Sequence, residues 1–310
     1  MQVHRGIEFL PEIKNPVVTT GSFDGVHVGH KAIIRRLKQL AEQIKGETVL
    51  ITFHPHPRLV LYPDTEGKDL QLIHSQAEKI EMLEQTGLNH LVIIPFSLEF
   101  SKTTSQEFLD QILLNKIGAR VIVVGFNHSF GFHREGNYDY LYRQSREKGF
   151  AVEEIPVQEI QNETVSSTKI RKALREGNIQ RANAYLDDFY FIEGQLAEGN
   201  QNLRRMGFST YTLGIEEPKK LIPPQGVYAV RLLLKNQEYR GMLNILHATD
   251  SAKPLPFLEF HLFTQPPSLP GMRGRLVFHK RMRDHLFFSS EEELKKQLET
   301  DRKEISDLIY

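Results

Sequence analysis

Between Val17 and Lys45 the chain changes period from two to 3.6 across a glycine-rich turn, and no other stretch constrains the fold as much. Val17 to Phe23 (VVTTGSF) reads as a strand, because β-branched side chains lose rotamer freedom in a helix but pack well on a pleated surface. From Lys31 to Lys45 the apolar residues Ile33, Ile34, Leu37, Leu40, Ala41 and Ile44 recur on one helical face. A strand that runs almost directly into an amphipathic helix opens a βαβ unit and needs parallel neighbours. Thr48 to Phe53, Leu91 to Pro95 and Val121 to Phe126 supply further strands. Helical patterns at Ser75 to Gln85, Ser105 to Lys116 and Tyr138 to Lys148 stand between or after them. The expected fold of this half is a Rossmann-like α/β sheet.

Two more helical stretches, Ser167 to Glu176 and Ile179 to Leu186, precede a change of character. Strands are then expected at Phe189 to Leu196, Val227 to Leu234, Tyr239 to Ile245, Leu258 to Phe263 and Arg275 to Lys280. Proline-rich connections punctuate them, and the last helical pattern is Ser290 to Ile305. A small antiparallel β-barrel with a C-terminal helix accounts for this pattern. The expected domains are 1–186 and 187–310.

Charge and composition narrow the partners. Lys plus Arg and Asp plus Glu both number 39, so no global field draws the chain to nucleic acid or an anionic membrane. The absence of cysteine excludes a disulfide framework, a thiolate metal site and a thiol nucleophile. His4, Arg5 and Glu8 interrupt the start where a signal peptide needs an apolar run. No stretch reaches the roughly 18 apolar residues of a membrane span. A cytoplasmic protein acting on small molecules is the expectation.

Four motifs stand at strand ends of the first half or at a helix start soon after it. Gly21-Ser22-Phe23-Asp24-Gly25-Val26-His27-Val28-Gly29-His30 joins the first strand to its helix. Its glycines allow close backbone approach, the helix start offers unpaired N–H groups, and two imidazoles three residues apart can face one anion. Adenylyl transfer needs such a place, because negative charge grows on the α-phosphate and the departing pyrophosphate. A structural turn or a histidine metal site is the alternative reading of this motif alone. Thr52-Phe53-His54-Pro55-His56-Pro57 and Gly125-Phe126-Asn127-His128-Ser129-Phe130-Gly131, followed by Arg134, end two other strands. Val165-Ser166-Ser167-Thr168-Lys169-Ile170-Arg171 opens a helix whose hydroxyls and cations suit phosphate; a serine-capped surface helix would read similarly.

In order and spacing these motifs resemble those of the bacterial bifunctional riboflavin kinase and FMN adenylyltransferase (FAD synthetase) family, over nearly the whole chain. The resemblance implies that Gly21, Ser22, Phe23, Asp24, His27, Gly29 and His30 bind ATP, with His27 and His30 stabilising charge at the transferred phosphorus. It implies that Ser166, Ser167, Thr168 and Arg171 assist with the phosphates. His54, Pro55, His56, Pro57, Asn127 and Phe130 would border the flavin and magnesium side. Magnesium is expected to arrive with ATP, and FMN and FAD are expected as substrate and product.

The second half resembles the family's riboflavin kinase barrel with departures. Where the family reads GxxxGRxLGFPTAN, this chain runs from Gly199 to Thr212, with Leu203 for the second glycine, Ser209 for the proline, Tyr211 for a small residue and Thr212 for the magnesium-binding asparagine. A hydroxyl on a shorter side chain does not simply replace an amide oxygen around Mg²⁺, which demands near-octahedral placement, and Tyr211 could obstruct the nucleotide. The turn the family writes NIGTRPT is Asn244 to Asp250 here, and its LYG is Leu269-Pro270-Gly271. Glu259 matches the general base on the riboflavin hydroxyl, Thr210 a phosphate position and Arg283 a flavin position. The expectation is FMN plus MgATP giving FAD and pyrophosphate, with riboflavin phosphorylation weak or lost. A nucleotidylyltransferase for another phosphorylated acceptor and a flavin or nucleotide sensor without turnover are the rival readings.

Overall fold

A computed structural model describes residues 1–126, 128–161, 163–235, 237–247, 256–264, 266, 269 and 271–309. The chain divides into two compact units, Met1–Ser166 and Ser167–Tyr310. In the first, six strands form one parallel sheet: β1 (Gln2–Arg5), β2 (Val17–Thr20), β3 (Thr48–His54), β4 (His90–Pro95), β5 (Val121–Gly125) and β6 (Ala151–Ile155). Their order is β1-β4-β3-β2-β5-β6. The central strands are buried along almost their whole length, as strands covered on both faces must be, and so read as continuous apolar runs. Val18, Val49, Ile51, Val92, Ile122 and Val124 join Phe108, Leu109, Leu113 and Leu141 in one core.

The helices of this unit are α1 (Val28–Gln43), α2 (Pro57–Leu61), α3 (Gln76–Glu84), α4 (Ser105–Glu107) with its π-helical continuation Phe108–Lys116, and α5 (Tyr138–Lys148). α3 starts on a capping box in which Ser75 and Glu78 satisfy each other's backbone N–H. α5 stops at left-handed Gly149. The chain leaves β2 towards β3 on one side, whereas β5 pairs on the other. That reversal opens a crevice beyond the carboxyl ends of β2 and β5, the place where such sheets receive ligands.

A short antiparallel pair, β7 (Glu159–Ile160) and β8 (Glu163–Thr164), precedes the second unit. That unit opens with α6 (Ser167–Arg175) and α7 (Ile179–Leu186). A closed barrel follows, built of β9 (Phe191–Glu198), β10 (Thr210–Ile215), β11 (Gly226–Leu234), β12 (Gln237–His247), β13 (Pro256–Leu262) and β14 (Arg273–Arg283) in the order β10-β13-β12-β11-β14-β9. A five-residue helix, α8 (Gln201–Arg205), lies between β9 and β10, and α9 (Glu291–Leu308) closes the chain. Closure leaves no unpaired sheet edge. The second compact unit includes α6 and α7, which pack on each other, with α7 packed against β14; the Asn183 amide donates to the Phe278 carbonyl.

Candidate active site

The turn from β2 into α1 is wound tightly. Phe23, Gly25 and Val26 all have positive φ, 49°, 96° and 36°, a region that costs non-glycine residues energy and is severe for a β-branched one. His27 is the N-cap of α1 and His30 lies in its first turn, so the helix brings the two rings into a stack with centroids 3.7 Å apart. Phe23 packs on His30 at 4.5 Å. Gly29 leaves the His27 ring its place: a Cβ there would stand 3.1 Å from Cε1 of His27, so the ring would have to shift. Burial, the neighbouring His27 and then Lys79 hold His30 well below the ordinary imidazole range, so the free site carries it neutral. A polyphosphate placed beside it would favour the protonated form.

Among the described residues, Thr20 Oγ1, His30 Nδ1 and His128 Nε2 are buried atoms that make no hydrogen bond within the protein. Buried polar groups are nearly always satisfied, so such exceptions point to a ligand or water. Thr20, Gly21 and Ser22 form one wall of a cavity of about 680 Å³. His56 and Pro57 from the end of β3, with Arg58, form another, and His128, Phe130 and Arg134 after β5 a third. His54 is the last residue of β3, the His54–Pro55 peptide is cis, and the His56 ring accepts the Arg58 N–H at the start of α2. Asn127 lies outside the described residues. Asp24 takes a supporting place: it is 3 % exposed, and its carboxylate accepts N–H bonds from Ile73 and His74.

Sequence reasoning did not single out the aromatic lining. Phe53, Phe96 and Phe100 pack edge to face with centroids 5.7 to 5.9 Å apart and line the cavity with Tyr62 and Phe108. Phe96 and Phe100 follow the end of β4, and apolar rings just beyond a strand's carboxyl end are the signal that could have found them. The cavity therefore offers flat apolar rings together with the cations Arg58 and Arg134, which suits a planar ring system carrying a phosphate.

Ser167, Thr168 and Arg171 fall on α6, in the second unit, with Ser166 the last residue of the first. Arg171 is 7 % exposed. The barrel carries its own cavity of about 550 Å³, lined by Thr210, Met242, Asn244, Glu259, His261 and Arg283 among others, with Phe287 and Leu294 from the C-terminal segment. Strand register sets Glu259 on β13 opposite both Thr212 on β10 and Asn244 on β12. Glu259 is held in place: its Oε1 accepts the Asn200 N–H at 2.8 Å, and the Thr210 hydroxyl donates to the Asn200 carbonyl at 3.2 Å. The Tyr211 ring packs on Phe260 at 5.7 Å and is covered by the Arg204 guanidinium. Arg283 makes a two-pronged ion pair with buried Asp301 of α9, 3.0 Å from Nε to Oδ1 and 2.6 Å from Nη2 to Oδ2. In the family's NIGTRPT-like turn, residues 248–250 lie outside the described residues, as does Pro270.

Comparison with known proteins follows the same two-part division. Residues 10–169 match the family model described as FAD synthetase, and residues 186–309 match that of riboflavin kinase. The bifunctional riboflavin kinase/FMN adenylyltransferase of Bacillus subtilis is 33% identical over 292 residues, 93% of this chain and 90% of that protein. The protein of the same description from Escherichia coli K12 is 29% identical, covering 97% of this chain and 96% of its own. A crystal structure described as a macrolide-efflux protein from Streptococcus pneumoniae superposes with a TM-score of 0.89 at 27% identity, covering 97% of each chain. Among the described residues no helix is long and apolar enough to cross a membrane.

Proposed function

The chain belongs to the family of bifunctional riboflavin kinase/FMN adenylyltransferases, and from that premise we propose how its two sites divide the work. The first unit transfers AMP from ATP to FMN, giving FAD and pyrophosphate. The observation that carries this is the stacked His27–His30 pair in a strained helix-start turn that directly follows Thr20, Gly21 and Ser22, which line a cavity with aromatic walls. The FMN phosphate is already ionised and attacks the α-phosphorus in line, so the site has no proton to remove and works by positioning and charge stabilisation. His27 and His30, protonated as the polyphosphate settles beside them, stabilise the charge that grows on the α-phosphate and on pyrophosphate. Ser166, Ser167, Thr168 and Arg171 assist with the outer phosphates. The isoalloxazine lies among Phe96, Phe100 and Phe130, bordered by the His54 to Pro57 loop.

The barrel phosphorylates riboflavin, with Glu259 as the base that takes the proton of the ribityl hydroxyl, a step an alcohol needs and a phosphate does not. Magnesium enters as MgATP and screens the phosphate charge. Among the described residues no group of three or more His, Asp or Glu side chains is arranged to hold a metal, whereas the hydroxyl oxygens of Thr210 and Thr212 are hard donors of the kind it takes. With a short hydroxyl at Thr212, the kinase step is the slower of the two.

Incubating the purified protein with MgATP and either FMN or riboflavin, and separating the flavins by chromatography, tests both assignments. The expected result is rapid FAD from FMN and slow FMN, then FAD, from riboflavin. No product from either flavin would overturn the reading and leave a binding protein without turnover.

A further inference from the structure

Lys79, on α3, sits between acidic neighbours in a sequence that reads as a solvated helix face. In the fold it is 7 % exposed. Its Nζ donates to the Ser22 carbonyl at 3.2 Å and to Thr52 Oγ1 at 3.2 Å. The Thr52 hydroxyl itself donates to the same Ser22 carbonyl at 3.1 Å, so its lone pairs are what Lys79 uses, and the three groups close a triangle. Burying an ammonium is costly unless it is hydrogen-bonded, and burial pulls this one down to about 8 against the opposing pull of Asp24. Such an expense on an otherwise ordinary helix calls for a return elsewhere.

The return lies in the turn. Ser22 and Asp24 flank Phe23, whose φ is 49°. From the α3 side Lys79 grips the carbonyl of the first, while the Ile73 and His74 N–H groups grip the carboxylate of the second. Strained backbone persists only where its surroundings over-determine it, and these two grips fix the residue at which the turn toward Val26 and His27 begins. Lys79 is not among the residues lining the substrate cavity. We propose that Lys79 is a positioning residue for adenylyl transfer, its ammonium fixing the Ser22 carbonyl and the Thr52 hydroxyl and thereby the placement of His27 and His30 on the nucleotide phosphates. The inference rests on the adenylyltransferase reading of the first unit.

Lys79→Met in the full chain separates positioning from mere support. Methionine has similar length, the Ser22 carbonyl keeps its bond from Thr52, and the Asp24 carboxylate keeps the Ile73 and His74 N–H groups. The expected result is a kcat/KM for ATP in FMN adenylylation lowered on the order of 10- to 100-fold at a temperature where the variant remains folded by thermal melt. The KM for FMN moves less than that for ATP, Lys79→Arg recovers part of the loss, and riboflavin binding to the barrel, followed by flavin fluorescence, is unchanged. Lys79→Met within about twofold of the wild type in kcat/KM would overturn the proposal. So would a loss of activity that merely tracks a fall in Tm, or a Lys79→Arg variant no better than Lys79→Met. Absence of FAD from the wild-type chain under the same conditions would instead remove the activity on which the proposal rests.

Discussion

His30 and His128 are both half-buried, and each has one ring nitrogen shielded from solvent with no hydrogen bond inside the protein. Burial, with Arg134 adding to it, pulls His128 down to about 4, while burial and then His27 lower His30. In the unfolded chain such imidazoles titrate near 6.5. Between about 6.5 and 4 the unfolded state therefore binds protons that the folded state refuses, so stability is full above that window and falls as pH drops through it. Thermal melts across this range should show Tm falling with acidity, and His128→Asn should flatten part of the fall; an equal slope in the variant would contradict this account of His128. At this scale the sequence was legible wherever a side chain's type is itself uncommon in a turn, as with His27 and His30. It was not legible at Lys79, since a lysine beside glutamates on a helix ordinarily faces water, and only the packing of α3 under the β2–α1 turn buries it.

The C-terminal helix α9 packs Ile305 on Val227, Ala229 and Met242 of the barrel and adds a buried ion pair. Asp301 is 2 % exposed and accepts from Arg283 at the end of β14, with the Gln297 amide as a further donor at 2.9 Å. Removing one partner of such a pair strands the other, so Asp301→Ala should cost about 3 kcal/mol. A lowered urea midpoint would register it, and an unchanged midpoint would contradict the assignment. Because Arg283 also lines the barrel cavity, the same variant should weaken riboflavin binding. Elements were legible in proportion to their burial. β3, β4 and β5 are central and apolar, and β11 is likewise a nearly continuous buried apolar run, so their patterns stand out. β1 and β6 are sheet edges with exposed or half-buried polar residues, and β10 carries two threonines and a glycine beside the GxxxGR-like segment. Their strand character comes from pairing partners distant in sequence, which no local pattern records. The π-helical continuation of α4 likewise depends on packing, since the periodicity of Ser105 to Lys116 shows only that the segment is helical.

At the scale of the whole molecule, two reactions that call for different chemistry are assigned to two separate compact units. In the proposed reading one site, at a parallel sheet's switch point, works by charge stabilisation from histidines, and the other, on a closed antiparallel barrel, uses a carboxylate braced by the Asn200 N–H in the lining of a cavity. The alternation of strand and helix made the first fold readable, and short strands separated by proline-rich connections made the second readable. The account stands or falls on whether the paired histidines perform adenylyl transfer. The most direct measurement is the rate of FAD formation from FMN and MgATP by the wild type and by His30→Ala, with riboflavin phosphorylation assayed on the same preparations. The account predicts that FAD formation falls on the order of 10² to 10³-fold while FMN formation from riboflavin is preserved; FAD formation within about threefold of wild type would contradict it.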